Sequence, residues 1–267
     1  MTSRFQPDSP QWPTSPSFDN FPPASERRNP SSVVVDGKLI VMGGNAGGFS
    51  VNEVWSLDPS QPSGTSNQWK SLTPMPGARE AACAASYLGK IYVFGGSDSS
   101  GVTNTIFVFD PSAAAGMGSW TTLAVTLPQT LFVCAAAQAG EYIYITGGST
   151  VSAGSPLNTI LRFRPDGSGG GAFDPFPVGS VPTLITARIN HSATTVNEKI
   201  VVVGGRTSGL VPLRSVEMFD PSSNSVSSLP DTIVARYFHQ ASVLGLNLFV
   251  FGGLGGSNSV ESLFLPA

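Results

Sequence analysis

Five times in 267 residues an alternating apolar run stops on two adjacent glycines: "KLIVMGGNAGG", "KIYVFGGSDSS", "YIYITGGSTVS", "KIVVVGGRTSG" and "NLFVFGGLGGS". The first glycines stand at 43, 95, 147, 204 and 252, giving spacings of 52, 52, 57 and 48. A unit of that length repeated in register restricts the chain to propellers and solenoids. Each unit keeps one order of features. A strand of small residues such as "AACAASYL" comes first, then a tight turn, the strand ending in Gly-Gly, and a polar loop. A third strand such as "NTIFVFDP" and a weaker fourth carrying an aromatic residue, as in "QWKSLTPMP", complete it. Four antiparallel strands per unit make a propeller blade, with the small residues on the crowded innermost strand. Glycine suits the abrupt strand end because it accepts positive φ and lets a neighbouring chain approach closely.

Composition agrees with an all-β chain of many turns. There are 30 glycines and 22 prolines, and charged residues make up 12%, about half the usual share of roughly 25%. A net charge of −3 argues against a nucleic-acid or charged-membrane partner. No apolar run approaches bilayer length, and "MTSRFQPDSPQWPTSPSF" lacks the pattern of a signal peptide. A cytoplasmic location is therefore expected. The two cysteines, Cys83 and Cys134, fall on inner strands of neighbouring units, one step out of register. They read as two buried free thiols in a reducing compartment, with a catalytic thiol as the alternative.

The Gly-Gly pairs, the Asp-Pro steps at 58–59, 110–111 and 220–221, Trp69 and Trp120, and the arginine before the first strand resemble the kelch repeat. The resemblance covers the whole chain, with departures at Arg164-Pro165 and in the Trp-less "SNSVSSLP". It implies a single five-bladed kelch-type β-propeller over residues 1–267. The fifth unit stops after its third strand. Residues 11–26, with Trp12 in the aromatic position, are expected to supply the missing fourth strand and close the ring, leaving no open edge. A partner chain supplying a sixth blade is the alternative.

Candidate site residues follow from the repeat. Sixteen residues before each first glycine stand Arg27, Arg79, Leu131, Arg188 and Arg236, at the end of the inner strand nearest the central channel. Guanidinium forks recognise carboxylate and phosphate, and converging like charges favour an anionic guest. Each arginine could equally pair with an acid of its own protein. Two residues beyond the first glycine come Asn45, Ser97, Ser149, Arg206 and Leu254, in loops at the same end. In kelch proteins that bind acidic peptides, the resemblance implies that these two sets of loops form the binding surface. Glu80, Phe132 and Tyr237 directly follow the arginine column. His191 and His239 both stand thirteen residues before a glycine pair, a recurring position that suits a packed structural side chain.

The leading expectation is a monomeric propeller binding an acidic peptide or a carboxylate-bearing small molecule at an arginine-rimmed channel mouth, with no cofactor. The alternative is a metal-free isomerase, epimerase or cyclase at the same mouth, with Glu80, Tyr237 and His239 as candidate proton-transfer groups. A sialic-acid mutarotase-like activity belongs to that class by residue type only. Two histidines are too few for a galactose-oxidase-like copper site. The positions upstream of His239 hold Asp231 and Ala235, so the iron site of specifier-type proteins is absent as well. No glycine pair leads into a helix, so none makes a phosphate loop.

Overall fold

The structure is a computed structural model and describes residues 19–22, 26–64, 68–152, 154–255 and 259–265. It is an all-β, five-bladed propeller. Blade 1 comprises Ser31–Val35, Lys38–Met42, Val54–Leu57 and Trp69–Leu72 in antiparallel order. Blade 2 comprises Cys83–Tyr87, Lys90–Phe94, Ile106–Asp110 and Ser119–Thr122. Blade 3 runs from Ala135–Ala139 through Tyr142–Thr146 and Ile160–Pro165 to Gly171–Phe173. Blade 4 runs from Ser192–Val196 through Lys199–Val203 and Val216–Asp220 to Ser225–Leu229. Blade 5 shows Gln240–Leu244, Asn247–Phe251 and Val260–Phe264. Its expected fourth strand, in residues 11–26, lies mostly outside the described residues. Within that span Phe21 packs edge-on against Trp69 of blade 1, ring centroids 5.0 Å apart.

Because side chains alternate along a strand, every blade has one face toward the blade before it and one toward the blade after it. Four apolar cores fill the four spaces between consecutive blades. Ile40 and Met42 of blade 1 meet Ile91 and Val93 of blade 2, and Val201 and Val203 of blade 4 meet Leu248 and Val250 of blade 5. Tyr92 and Phe94 stand between blades 2 and 3, and Tyr144 between blades 3 and 4.

The glycine pairs are where blades touch. The first glycines have φ from +55° to +73° and the second from +89° to +93°. A Cβ at Gly43, Gly95, Gly147 or Gly204 would collide with the carbonyl of Arg79, Leu131, Arg188 or Arg236 in the next blade. That carbonyl takes a hydrogen bond from the second glycine: Gly44 to Arg79, Gly96 to Leu131, Gly148 to Arg188, Gly205 to Arg236, at 2.8–2.9 Å. A second chain of bonds runs around the channel mouth, in which Ala81, Val133, Asn190 and Phe238 each donate to the equivalent carbonyl one blade earlier. To do so they adopt left-handed φ of 49–56°, a strained conformation for β-branched Val133.

The Asp-Pro steps have a local role. Asp58, Asp110 and Asp220 each accept from a serine two residues on and pair with Lys38, Lys90 and Lys199 at the start of the second strand. Bonds from Lys90 and Ser112 hold the Asp110 carboxyl down at about 2. In blade 3 the polarity is reversed, and Arg164 pairs with Glu141.

Candidate functional site

The channel mouth is built from the segments entering each inner strand and the loops after each glycine pair. These two sets meet as backbone bridges: Arg28 with Asn45, Glu80 with Ser97, Phe132 with Ser149, Ile189 with Arg206, Tyr237 with Leu254. The sequence columns at these positions therefore do share one face of the molecule. A cavity of about 850 Å³ lies along the channel, open at Arg28, Asn29, Phe238 and Leu254 and walled by the small residues of the inner strands.

The arginine column does not converge on that cavity, and the expected funnel is corrected. Arg188 and Arg236 are 0% exposed. Arg188 bonds the Gly204 carbonyl at 2.7 Å, the Ser215 hydroxyl at 2.9 Å and the Glu217 carboxylate. Arg236 repeats the pattern on Gly252, Ser259 and Glu261. Arg79 reaches Asp98 at 2.7 Å and Thr105 at 2.8 Å, with its guanidinium 4.8 Å from the Phe107 ring centre. Arg27 pairs with Glu53. Each head turns back into its own blade and, in blades 4 and 5, ties down the carbonyl of the first glycine. The arginine and the glycine pair are thus one device that pins a blade entrance to a strand end. Leu131, which lacks a charge, is buried in the core between blades 2 and 3 instead.

His191 and His239 are buried at blade junctions. His191 Nε2 lies 2.9 Å from the Thr146 hydroxyl of blade 3, and His239 Nε2 lies 2.9 Å from the Ser192 hydroxyl of blade 4. The candidate proton-transfer set does not assemble. Glu80 accepts a bond from Ser50 at 3.1 Å, Tyr237 lies beneath the Arg206 guanidinium at 5.5 Å, and His239 is enclosed between blades.

Burial, reinforced by the nearby Arg188 charge, pushes the His191 imidazole well below its usual value. Burial and Arg236 push His239 down to about 4. A histidine depressed in the folded state binds fewer protons than in the unfolded chain, so stability is full above about 6.5 and falls as pH drops toward 4. Each linked histidine contributes a slope of up to about 1.4 kcal/mol per pH unit in that window. Denaturant melts at pH 7, 6 and 5 should show the loss, and His239→Asn should flatten the slope. An unchanged slope in that variant would refute the assignment.

The cysteines depart furthest from expectation. Cys83 and Cys134 form a disulfide between the inner strands of blades 2 and 3, Cα atoms 5.5 Å apart. Free thiols were expected because two cysteines do not make a framework. Yet their one-step offset is the offset of Ser192 from His239, the pair that touches across the junction between blades 4 and 5. The free-thiol premise for a reducing compartment falls with it.

Sequence reasoning missed Arg28, Asn190 and Phe238. Arg28 and Phe238 are exposed at the mouth, and the Asn190 amide oxygen accepts from Arg206 Nε at 3.1 Å. Asn190 and Phe238 share one repeat position with Asn29, and only the doubled Asn at 29 and 190 hinted at it. Among the described residues no His, Cys, Asp and Glu group could hold a metal ion, and no helix is long and apolar enough to cross a membrane.

Comparison with known proteins agrees with the geometry. A family model for the KLHDC2/KLHL20/DRC7 Kelch-repeats domain matches residues 2–169, and a Kelch motif model matches residues 187–232. Alpha-scruin of Limulus polyphemus is 29% identical over 205 residues, 73% of this chain but 21% of the scruin. Human multiple epidermal growth factor-like domains protein 8 is 30% identical over 214 residues, 71% of this chain and 7% of that protein. An N-acetylneuraminate epimerase of Haemophilus influenzae is 31% identical over 122 residues, 43% of this chain and 30% of the epimerase. The chain thus spans a third or less of the length of each of these relatives. With five glycine-pair blades in register and a family model covering more than half of its length, this chain belongs to the kelch-repeat family.

Proposed function

We propose that this propeller is a protein-binding module whose partner docks on the channel-mouth face and seats an acidic group at Arg206. One observation carries the reading. The loops at the mouth present exposed apolar side chains, Phe49 from blade 1, Leu210 and Val211 from blade 4, and Phe238 and Leu254 from blade 5. Among them stand two arginines, Arg28 and Arg206, with no carboxylate in ion-pair range among the described residues. Apolar anchors beside an aromatic-stacked arginine have the make-up of a binding hot spot. Kelch-repeat relatives such as Kelch-like protein 38 of Mus musculus, 26% identical over 174 residues, are consistent with a repeat used for contacts between proteins. Asn45 and Ser97 border the same rim and would supply hydrogen bonds to the partner's backbone, whereas Ser149 is buried and its hydroxyl donates to the Val151 carbonyl. Arg27, Arg79, Arg188 and Arg236 would hold this surface in place rather than touch the partner.

The test is fluorescence anisotropy with labelled acidic and neutral peptides. Acidic peptides should bind, with affinity falling as salt rises. Arg206→Ala should weaken binding at least about tenfold, as loss of a hot-spot arginine does. Equal binding of neutral peptides, or an unaffected variant, would overturn the reading.

The epimerase relative favours a second reading, an isomerase of a carboxylated sugar. Glu80 would be its proton-transfer group and Arg206 its carboxylate anchor. Turnover of N-acetylneuraminate, lost in Glu80→Gln with folding intact, would support it.

A further inference from the structure

Consecutive blades are tied near one place on their inner strands. Ser31 donates to the Ala82 carbonyl at 2.8 Å between blades 1 and 2, His191 meets Thr146 between blades 3 and 4, and His239 meets Ser192 between blades 4 and 5. Between blades 2 and 3 the tie is covalent, the Cys83–Cys134 bond. Cys83 is buried, Cys134 is partly exposed, and both line the channel cavity.

The residue before Cys134 is held in a strained conformation. Val133 has φ of 49°, and among the described residues it is the one β-branched side chain in the left-handed region. Its counterparts around the mouth are Asn29, Ala81, Asn190 and Phe238, of which asparagine accepts that region most readily. Such a conformation persists only where the surroundings over-determine it. Here they include the hydrogen bond from Val133 to the Ala81 carbonyl at 2.8 Å and, one residue on, the disulfide. Val133 in turn holds its neighbour. Its carbonyl accepts the Asn190 N–H at 3.0 Å, and the Asn190 amide oxygen accepts Arg206 Nε at 3.1 Å. Two hydrogen bonds thus lie between the residue beside Cys134 and the guanidinium at the mouth.

We propose that the Cys83–Cys134 bond is a redox switch for the mouth: its reduction releases Val133 from the left-handed region, and with it the Asn190 bond that positions Arg206. The inference rests on Arg206 as the seat of the partner's acidic group and adds how that seat is regulated. A small dithiol supplies the electrons. Its thiolate attacks the Cys134 sulfur beside the cavity, the S–S bond breaks, a mixed disulfide forms, and Cys83 leaves as a thiolate that takes up a proton. The second thiol displaces Cys134, which is protonated in turn, and the dithiol ends as a cyclic disulfide. Two electrons and two protons pass to the protein. Bonded sulfurs stand about 2 Å apart and non-bonded heavy atoms about 3.5–4 Å, so the two inner strands must give way. Cys134, beside the cavity, has the room to move and carries Val133 with it.

Hydrogen exchange and fluorescence anisotropy on the full chain, oxidised and after treatment with dithiothreitol, test the switch. Reduction should speed exchange at the Asn190 amide and leave unchanged the Ala81 amide, which bonds Asn29 at the junction of blades 1 and 2. Affinity for the acidic peptide should fall at least about tenfold, as when a hot-spot arginine loses its partner. Val133→Asn separates the switch from simple loss of stability, since asparagine keeps the left-handed conformation without help. Its disulfide should be reduced alike, yet its affinity and its Asn190 exchange should stay at the oxidised values. Unchanged Asn190 exchange in the reduced wild type, a bond that dithiothreitol leaves intact in the folded chain, or an equal loss of affinity in Val133→Asn would each overturn the proposal. So would exchange that rises alike in every blade, the sign of plain unfolding. If the oxidised protein binds no acidic peptide, the reading of Arg206 falls, and Asn190 exchange alone still decides the switch.

Discussion

Arg188→Ala is expected to lower the stability of this propeller by about 3–5 kcal/mol, the cost of removing one partner from a buried ion pair. The variant removes the head that neutralises Glu217, which is itself buried, and strips donors from the Gly204 carbonyl and the Ser215 hydroxyl. A typical domain has about 5–15 kcal/mol in total, so the denaturation midpoint should move far while the slope stays constant. An apolar replacement of both charges commonly restores stability at such a pair. Here it should not. Glu217 also accepts the backbone N–H groups of Ile185 at 2.7 Å and Thr186 at 3.0 Å. Arg188→Met with Glu217→Leu would strand both donors, and buried unsatisfied donors cost about 1–3 kcal/mol each. A double variant as stable as wild type would show that the pair is not the strut described above. If the column served a ligand instead, Arg188→Ala would leave the midpoint unmoved and remove binding.

Loss of the Cys83–Cys134 bond is the second large effect. The bond closes a segment with a sequence separation of 51 residues, for which loop-closure entropy predicts about 4 kcal/mol of stabilisation. Cys83→Ala with Cys134→Ala should unfold at markedly lower denaturant than the oxidised protein. Wild type treated with a reductant should match the variant. Blades 2 and 3 are the pair it clamps, so hydrogen exchange should rise first at the junction of Cys83–Tyr87 with Ala135–Ala139. Equal stability of oxidised and reduced protein would refute the clamp. Both variants test packing between blades, where four separate apolar cores must form together.

Much of the fold was legible because it repeats. Five glycine pairs in register fixed blade number, strand order and the small-residue inner strands, and spacing alone placed Glu80, Phe132 and Tyr237 beside Ser97, Ser149 and Leu254. The direction of the arginines was not legible. Equivalent spacing tells which residues occupy the same place in each blade, and says nothing of whether a long side chain reaches into the channel or back across its own sheet. Of the acids that decide it, Glu217 and Glu261 share one repeat position, opposite Val202 and Val250, but Glu53 and Asp98 stand at other positions, Asp98 in the loop directly after its glycine pair, so the four form no single column. The histidines were readable as structural for the opposite reason: both fall on one repeat position. The disulfide was half readable, since the offset of the two cysteines was visible but the step between neighbouring inner strands was not.

Periodicity in the chain determined that this protein is a wheel of similar β-wedges meeting through glycines, because a strand period of two and a unit of about fifty residues leave no other way to bury so many alternating apolar runs. Tertiary packing alone decided which charges turn back into their own blades and which thiols meet. Those outcomes depend on distances of a few ångströms between segments far apart in sequence, and a one-dimensional pattern carries no information about them.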